Sequence, residues 1–181
     1  MLKYSYKNSL LALLIALFIL SAAPIAAASA EFSVGSGADD WWIDFPDGHV
    51  SSGSEVSHPQ WLLDALQDGP VLIYAHKQCS YCAPQEEALD ELLPEYEGQI
   101  DFIDVDAEKG DPKSGEVAIY DPDGGPHYVP LTIVATLVED QDGNVAVGWH
   151  SSEAVTGKDW IQSYIEDAIY YHDQNSAGWS Q

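Results

Sequence analysis

Val71-Leu72-Ile73-Tyr74-Ala75 is a continuous apolar run, and shortly after it stands Cys79-Ser80-Tyr81-Cys82, which holds both cysteines of the chain. An apolar run this short, ended by polar residues, reads as a buried strand. Beyond it Ala88, Leu89, Leu92, Leu93 and Tyr96 recur at helical spacing, so the dithiol sits where a strand gives way to a helix. Cys79 is expected to open that helix. Unpaired N–H groups and the positive end of the dipole at a helix N-terminus favour a thiolate over a thiol. Such sites bring a cysteine pKa from about 8.5 into the range of roughly 3.5 to 7.5. With two residues between them, Cys82 can attack a mixed disulfide formed on Cys79, release the partner and close a small ring. Cys82, one turn further in, is expected to be shielded until that step. A structural disulfide and half of a zinc site are the two other uses of such a pair.

The N-terminus has the layout of a secretory signal peptide: Lys3 and Lys7, the apolar run Leu10 to Leu20, then small residues ending in Ala28-Ser29-Ala30. Cleavage after Ala30 leaves 151 of the 181 residues, enough for one domain with a core. The alternative is an uncleaved N-terminal anchor with the domain facing outward, because Leu10 to Ala30 is almost long enough to span a bilayer. Either way the expectation is an exported protein, extracytoplasmic or secreted, in a setting where disulfides persist. A staple that closes only four residues constrains the unfolded chain very little, since the benefit grows with loop length. Redox work is therefore the better account of the spacing.

All 30 acidic residues follow Ala30, arginine is absent there, and only Lys77, Lys109, Lys113 and Lys158 remain as bases, so the processed chain carries a formal charge of −26. Such a field repels nucleic acid and anionic membrane surfaces and argues against both as partners. Salt screens it, which would suit a high-salt habitat.

Residues 31–56 read as an N-terminal extension, a flexible lead with one short strand at Trp41-Trp42-Ile43-Asp44-Phe45. Ser57 is expected to cap a helix with Pro59 in its first turn and Trp61, Leu62, Ala65 and Leu66 inward, stopped by Gly69-Pro70. After the dithiol helix, Gly98 punctuates and Ile100 to Val105 alternates as a strand. Asp106 to Tyr128, with Pro112, Pro122 and Pro126, reads as an irregular insertion holding one short helix. Leu131 to Val138, a turn at Asp140 to Asn144, and Val145 to Trp149 make a hairpin. Thr156 or Gly157 begins a last helix with Trp160, Ile161, Tyr164, Ile165, Ala168 and Ile169 as its apolar stripe, and residues 172–181 read as a loose tail.

Strand, CxxC, helix, strand, then Val129-Pro130 before a hairpin and a terminal helix: in this order the chain resembles the thioredoxin superfamily over roughly residues 57–171. The resemblance implies an α/β fold, a three-layer α/β/α sandwich with a central mixed sheet of four to five strands. It implies a cis bond before Pro130, with the proline facing the dithiol. The Val129 backbone then pairs with an extended substrate segment, and Ser80 and Tyr81 border the same groove. The activity implied is that of a thiol–disulfide oxidoreductase in which Cys79 attacks and Cys82 resolves, with no cofactor beyond the Cys79–Cys82 disulfide. Implied partners are protein thiols or disulfides of exported proteins and a membrane redox partner, with the chain a monomer. Two positions depart from the thioredoxin pattern. Gln78-Cys79-Ser80-Tyr81-Cys82 replaces Trp-Cys-Gly-Pro-Cys, and Ile73 stands where thioredoxins bury an aspartate that helps move the proton of the second thiol. Tyr81, the nearby histidines or water would have to take that part.

His76 lies three residues before Cys79 and His127 three before Pro130, so both are candidates to tune the thiolate. Cys79, Cys82, His76 and His127 together would also make a two-sulfur, two-nitrogen set for zinc or copper, which defines the alternative function, a metal-binding or metal-delivery module. Asp121-Pro122-Asp123-Gly124 and Asp140-Gln141-Asp142-Gly143 carry fragments of calcium-loop spacing without the glutamate at the twelfth position; turn chemistry accounts for both.

Overall fold

The computed structural model describes residues 30–180. The signal peptide read from the sequence lies outside them except for Ala30, and among the described residues no helix is long and apolar enough to cross a membrane.

In chain order the elements are α1 (Gln60–Ala65), β1 (Val71–His76), α2 (Cys82–Leu92), β2 (Asp101–Asp106), α3 (Ser114–Val117), β3 (Leu131–Glu139), β4 (Val145–Ser152) and α4 (Lys158–Asn175). The strands form one sheet in the order β2-β1-β3-β4. β1 pairs in parallel with β2, while β3 runs antiparallel to both β1 and β4. Alternate side chains of a strand point to opposite faces. Accordingly Val71, Ile73 and Ala75 of β1 enter one core with Leu62 of α1, Leu66 just after it, and Val117 of α3. Leu72 and Tyr74 enter the other, with Leu89 and Leu92 of α2 and Ile161 and Ile165 of α4. Helices thus cover both faces, and the continuous apolar run of β1 has the composition that such burial demands. This is the expected three-layer α/β/α sandwich around a mixed sheet of four strands.

The N-terminal extension is neither loose nor a strand. Trp42 bridges Trp149 of β4, each N–H donating to the other's carbonyl at 2.9 Å. Both adjacent indoles are buried, Trp42 in one core and Trp41 in the other, on opposite sides of the sheet. Asp167 of α4 holds the segment down by accepting from the backbone N–H of Glu31 and Phe32 and from Trp41 Nε1. Residues from His172 on are also fastened, contrary to the tail expected there. α4 runs on to Asn175, His172 Nε2 meets the Leu66 carbonyl at 2.9 Å, and Trp179 packs on the core. Nor does Ser57 cap α1: the helix starts at Gln60 behind Pro59, which lacks a side-chain cap.

Three elements are locked by one side chain. Gln85, fully buried in α2, donates from Nε2 to Thr132 Oγ1 of β3 and to Thr156 Oγ1, both at 2.9 Å. Its Oε1 accepts from the backbone N–H of Thr156 at 3.0 Å and of Gly157 at 3.3 Å, just ahead of α4. Both donors and the acceptor of the amide are thereby used. His150 of β4 is built in differently, stacked on Tyr164 at 4.2 Å and in tilted contact with Trp42 at 4.1 Å, with its Nδ1 2.8 Å from the Asp40 carbonyl.

Gln85→Leu conserves volume but strands Thr132, Thr156 and the Gly157 N–H in a dry site. It should lower unfolding stability by about 2–4 kcal/mol in urea titration, and a loss below about 0.5 kcal/mol would remove the amide from this role. Burial lowers both His58 and His150 from the usual 6.5 to about 4, in His150 against the pull of the Asp40 carbonyl and of the Asp39 and Asp40 carboxylates. Unfolded imidazoles therefore take protons that the folded ones refuse, and their stabilisation, full above pH 6.5, is lost as the pH falls toward 4. His150→Phe keeps the ring stack and should lose about 1–3 kcal/mol less than the wild type over that interval. Equal losses for the two proteins would contradict a neutral buried His150.

Candidate functional site

β1 ends at His76 and the chain turns through Lys77 and Gln78 to Cys79. The Gln78 N–H donates to Glu108 Oε2 at 2.9 Å, which ties this turn to the loop after β2. Cys79 does not open the helix as expected from the sequence. Cys82 is its first residue, Tyr81 precedes it as the N-cap, and Cys79 lies in the turn before. The two cysteines are joined in a disulfide with their Cα atoms 5.3 Å apart.

They differ in access. Cys79 is half-buried, whereas Cys82 is 1% exposed. The Cys82 N–H, at the start of α2, is shared between the Cys79 carbonyl at 3.2 Å and Cys79 Sγ at 3.1 Å. A donor there, with the helix dipole behind it, stabilises negative charge on that sulfur once the disulfide opens. On the inner side, the Tyr74 hydroxyl donates to the Cys82 carbonyl at 3.1 Å. Burial, reinforced by Glu86 and Asp104, pushes that hydroxyl far above its ordinary pKa, so Tyr74 remains a neutral donor.

The register of β3 on β1 sets Leu131 opposite Ala75, which brings Pro130 to the end of the sheet where the dithiol loop begins. The Val129–Pro130 bond is cis. Pro130 is buried and Val129 half-buried, and no hydrogen bond among the described residues uses the Val129 N–H or carbonyl. A free main-chain edge therefore lies at the end of the sheet from which the dithiol loop departs. Ser80, Tyr81 and Tyr128 are exposed, the two tyrosines at 71% and 61%, so large apolar rings stand unburied on the CxxC turn and next to Val129. On the side toward β2 an open groove of about 530 Å³ reaches Cys79, with Glu86, Asp106, Glu108 and Lys109 on its walls. Lys109 pairs with Asp106 at 2.6 Å and holds that carboxyl below its usual range, so the net charge of the walls is negative.

Ile73 is fully buried, paired across the sheet with Ile103 and Ile133. No carboxylate takes the position that thioredoxins give to their buried acid.

The histidines are engaged elsewhere. His76 lines the groove of Cys79, but its ring lies parallel to Tyr74 and its nitrogens face Glu86 at 3.4 Å and Asp104 at 2.9 Å. His127 Nδ1 is 3.1 Å from Asp121 Oδ2. The set Cys79, Cys82, His76 and His127 is therefore not assembled. Among the described residues the one grouping with metal-ligand spacing is Asp121, His127 and Glu153, with ligand atoms within 4.8 Å of one another. Burial pushes the Asp121 carboxyl up, yet the N–H groups of Asp123 and Gly124 and the His127 ring hold it below the usual range. Burial, reinforced by Asp121 and Asp123, raises that of Glu153, which accepts the Tyr128 N–H at 2.7 Å and so steadies the approach to Val129. The Asp121 and Asp140 segments are Asx turns, as turn chemistry predicts: each carboxylate takes backbone N–H groups two to four residues on.

No sequence signal marks Glu153 as a site residue. Gln85 did leave a trace, as a polar residue at helical spacing with Ala88, Leu89 and Leu92 on a stripe that is otherwise apolar.

No family model and no curated protein matches the sequence. Among solved structures, the chain is similar to a malarial protein at 14% identity, over 55% of this chain and 97% of that one, with a TM-score of 0.40. It is similar to thioredoxin-2, a component of the malaria parasite protein secretion machinery, at 14% identity over 54% and 82% of the two chains, TM-score 0.38. Chloroplastic thioredoxin z matches at 12% identity over 60% and 88%, TM-score 0.41. Likenesses this low carry no functional argument. The sheet order, a CxxC pair at the start of α2 and a cis proline at the start of β3 are properties of this chain, and together they constitute a thioredoxin-like fold.

Proposed function

We propose that this protein is an exported thiol–disulfide oxidoreductase acting on protein thiols and disulfides. The observation that carries the reading is the unequal access of the two sulfurs, Cys79 half-open on a groove and Cys82 sealed beneath it. With the pair reduced, the Cys79 thiolate attacks one sulfur of a partner disulfide and expels the other as a thiolate. Cys82, deprotonated, then attacks Cys79 Sγ, the partner's second sulfur leaves as a thiolate, and the Cys79–Cys82 bond forms. Two electrons pass to the partner; run backward, the same steps oxidise a partner dithiol.

The unpaired Val129 backbone is suited to hold an extended partner segment by main-chain hydrogen bonds. Tyr81 and Tyr128 offer apolar contact on either side, and the acidic walls at Glu86, Asp106 and Glu108 favour segments that are neutral or basic. With Ile73 in the core, water admitted when a partner docks is the proton acceptor for Cys82. Export rests on the leader-like N-terminus and suits a chain whose function is disulfide chemistry. The metal-delivery alternative is disfavoured, since His127 and the two sulfurs belong to separate clusters.

Reduction of a model disulfide protein by a small dithiol should be accelerated by the wild type and proceed at the uncatalysed rate with Cys79→Ser. Cys82→Ser should accumulate a mixed disulfide on Cys79, visible as an added mass that a reductant removes. A wild type no faster than Cys79→Ser would overturn the reading.

A further inference from the structure

Asp167 is 3% exposed, in the middle of α4, and far from the disulfide chemistry in role. Its Oδ1 accepts the backbone N–H of Glu31 at 2.6 Å, and its Oδ2 accepts that of Phe32 at 3.2 Å and Trp41 Nε1 at 2.8 Å. Among the described residues no lysine or histidine pairs with it. Further negative charge lies close by, since Asp39, Asp40 and Asp167 all act on the Tyr164 hydroxyl. A buried carboxylate in a negative field calls for a counter-charge, and this one has none.

The nitrogen closest to that carboxylate belongs to Glu31, the residue directly after Ala28-Ser29-Ala30. Hydrolysis of the Ala30–Glu31 bond by a leader-removing peptidase consumes one water and leaves a carboxylate on Ala30 and an ammonium on Glu31. An amide with one hydrogen thus becomes a cation with three, at a position already within hydrogen-bond reach of Asp167.

We propose that Asp167 is a built-in seat for the processed N-terminus: cleavage after Ala30 creates the Glu31 ammonium, which docks on the Asp167 carboxylate and pins residues 31–41 over the sheet. The proposal rests on the cleavage part of the reading above and not on its thiol chemistry. The buried charge acquires its partner only after the leader is gone, so the processed chain is the form in which this end of the fold is complete. Charge-assisted hydrogen bonds of this kind are shorter and stronger than neutral ones, and they fasten Trp41 to α4 together with Phe32, whose ring stacks on Tyr164 at 4.2 Å.

The test starts from the full chain produced in a secreting host. Intact mass and N-terminal sequencing of the exported protein should show Glu31 as the first residue. A version left with two extra residues ahead of Glu31, its amino group displaced from the seat, should unfold at a temperature lower by about 4 °C. In an Asp167→Asn background that gap should close. If that variant does not fold, the amine label decides: the Glu31 amino group of the exported protein should react about tenfold more slowly than the displaced one. A different first residue would overturn the seat together with the cleavage reading, while disulfide exchange in the same samples reports separately on Cys79. Correct processing with no thermal gap, a gap unchanged by Asp167→Asn, or equal labelling rates would overturn the seat alone.

Discussion

The amide of Gln85 fixes the relation between the helix that begins at Cys82 and the strand that follows the cis proline. It sits one turn after Cys82 on α2, bonds Thr132 two residues after Pro130 on β3, and closes on the Thr156 and Gly157 backbone where α4 begins. Apolar packing alone is non-directional and would hold α2 on the sheet with freedom to slide. A fully satisfied buried amide has one arrangement and penalises the others. The placement of the dithiol helix against the start of β3 follows from that fastening together with the register of Leu131 on Ala75.

Within that frame the division of labour between the sulfurs is a matter of depth. The helix begins at Cys82, so the N–H that points at Cys79 Sγ comes from the buried cysteine's own backbone. One residue thus has its own sulfur buried and its N–H against the other sulfur. The interior beneath is apolar at Ile73, where an unpartnered carboxylate would be costly among Ile103 and Ile133. This chain therefore keeps a dry sheet centre beneath the dithiol.

Much of this was legible in the sequence because burial on two faces leaves a composition. β1 is an apolar run up to His76, β3 is apolar but for Thr132 and Thr136 until Glu139, the CxxC pair follows β1, and Val129-Pro130 precedes β3, so the fold could be read without coordinates. What could not be read depends on partners distant in the chain. Trp41 and Trp42 look alike as neighbours, yet strand-like alternation sends them to opposite cores, and only the bridge to Trp149 shows why. His127 looked like a companion of the dithiol by spacing to Pro130, but Asp121 claims its ring. The polar segment after Ile169 resembled a tail, because the bonds of His172 to Leu66 and of Asn175 to Leu137 join residues far apart in sequence. Ser57 lost its capping role to the fixed backbone angle of Pro59, which starts α1 later.

The proposed chemistry needs two unequal sulfurs, and the fold leaves Cys79 half-buried and seals Cys82. Reduced protein treated with a limiting amount of iodoacetamide, digested and read by mass spectrometry, measures that inequality directly. The label should fall on Cys79 well before Cys82. Equal labelling, or Cys82 first, would contradict it.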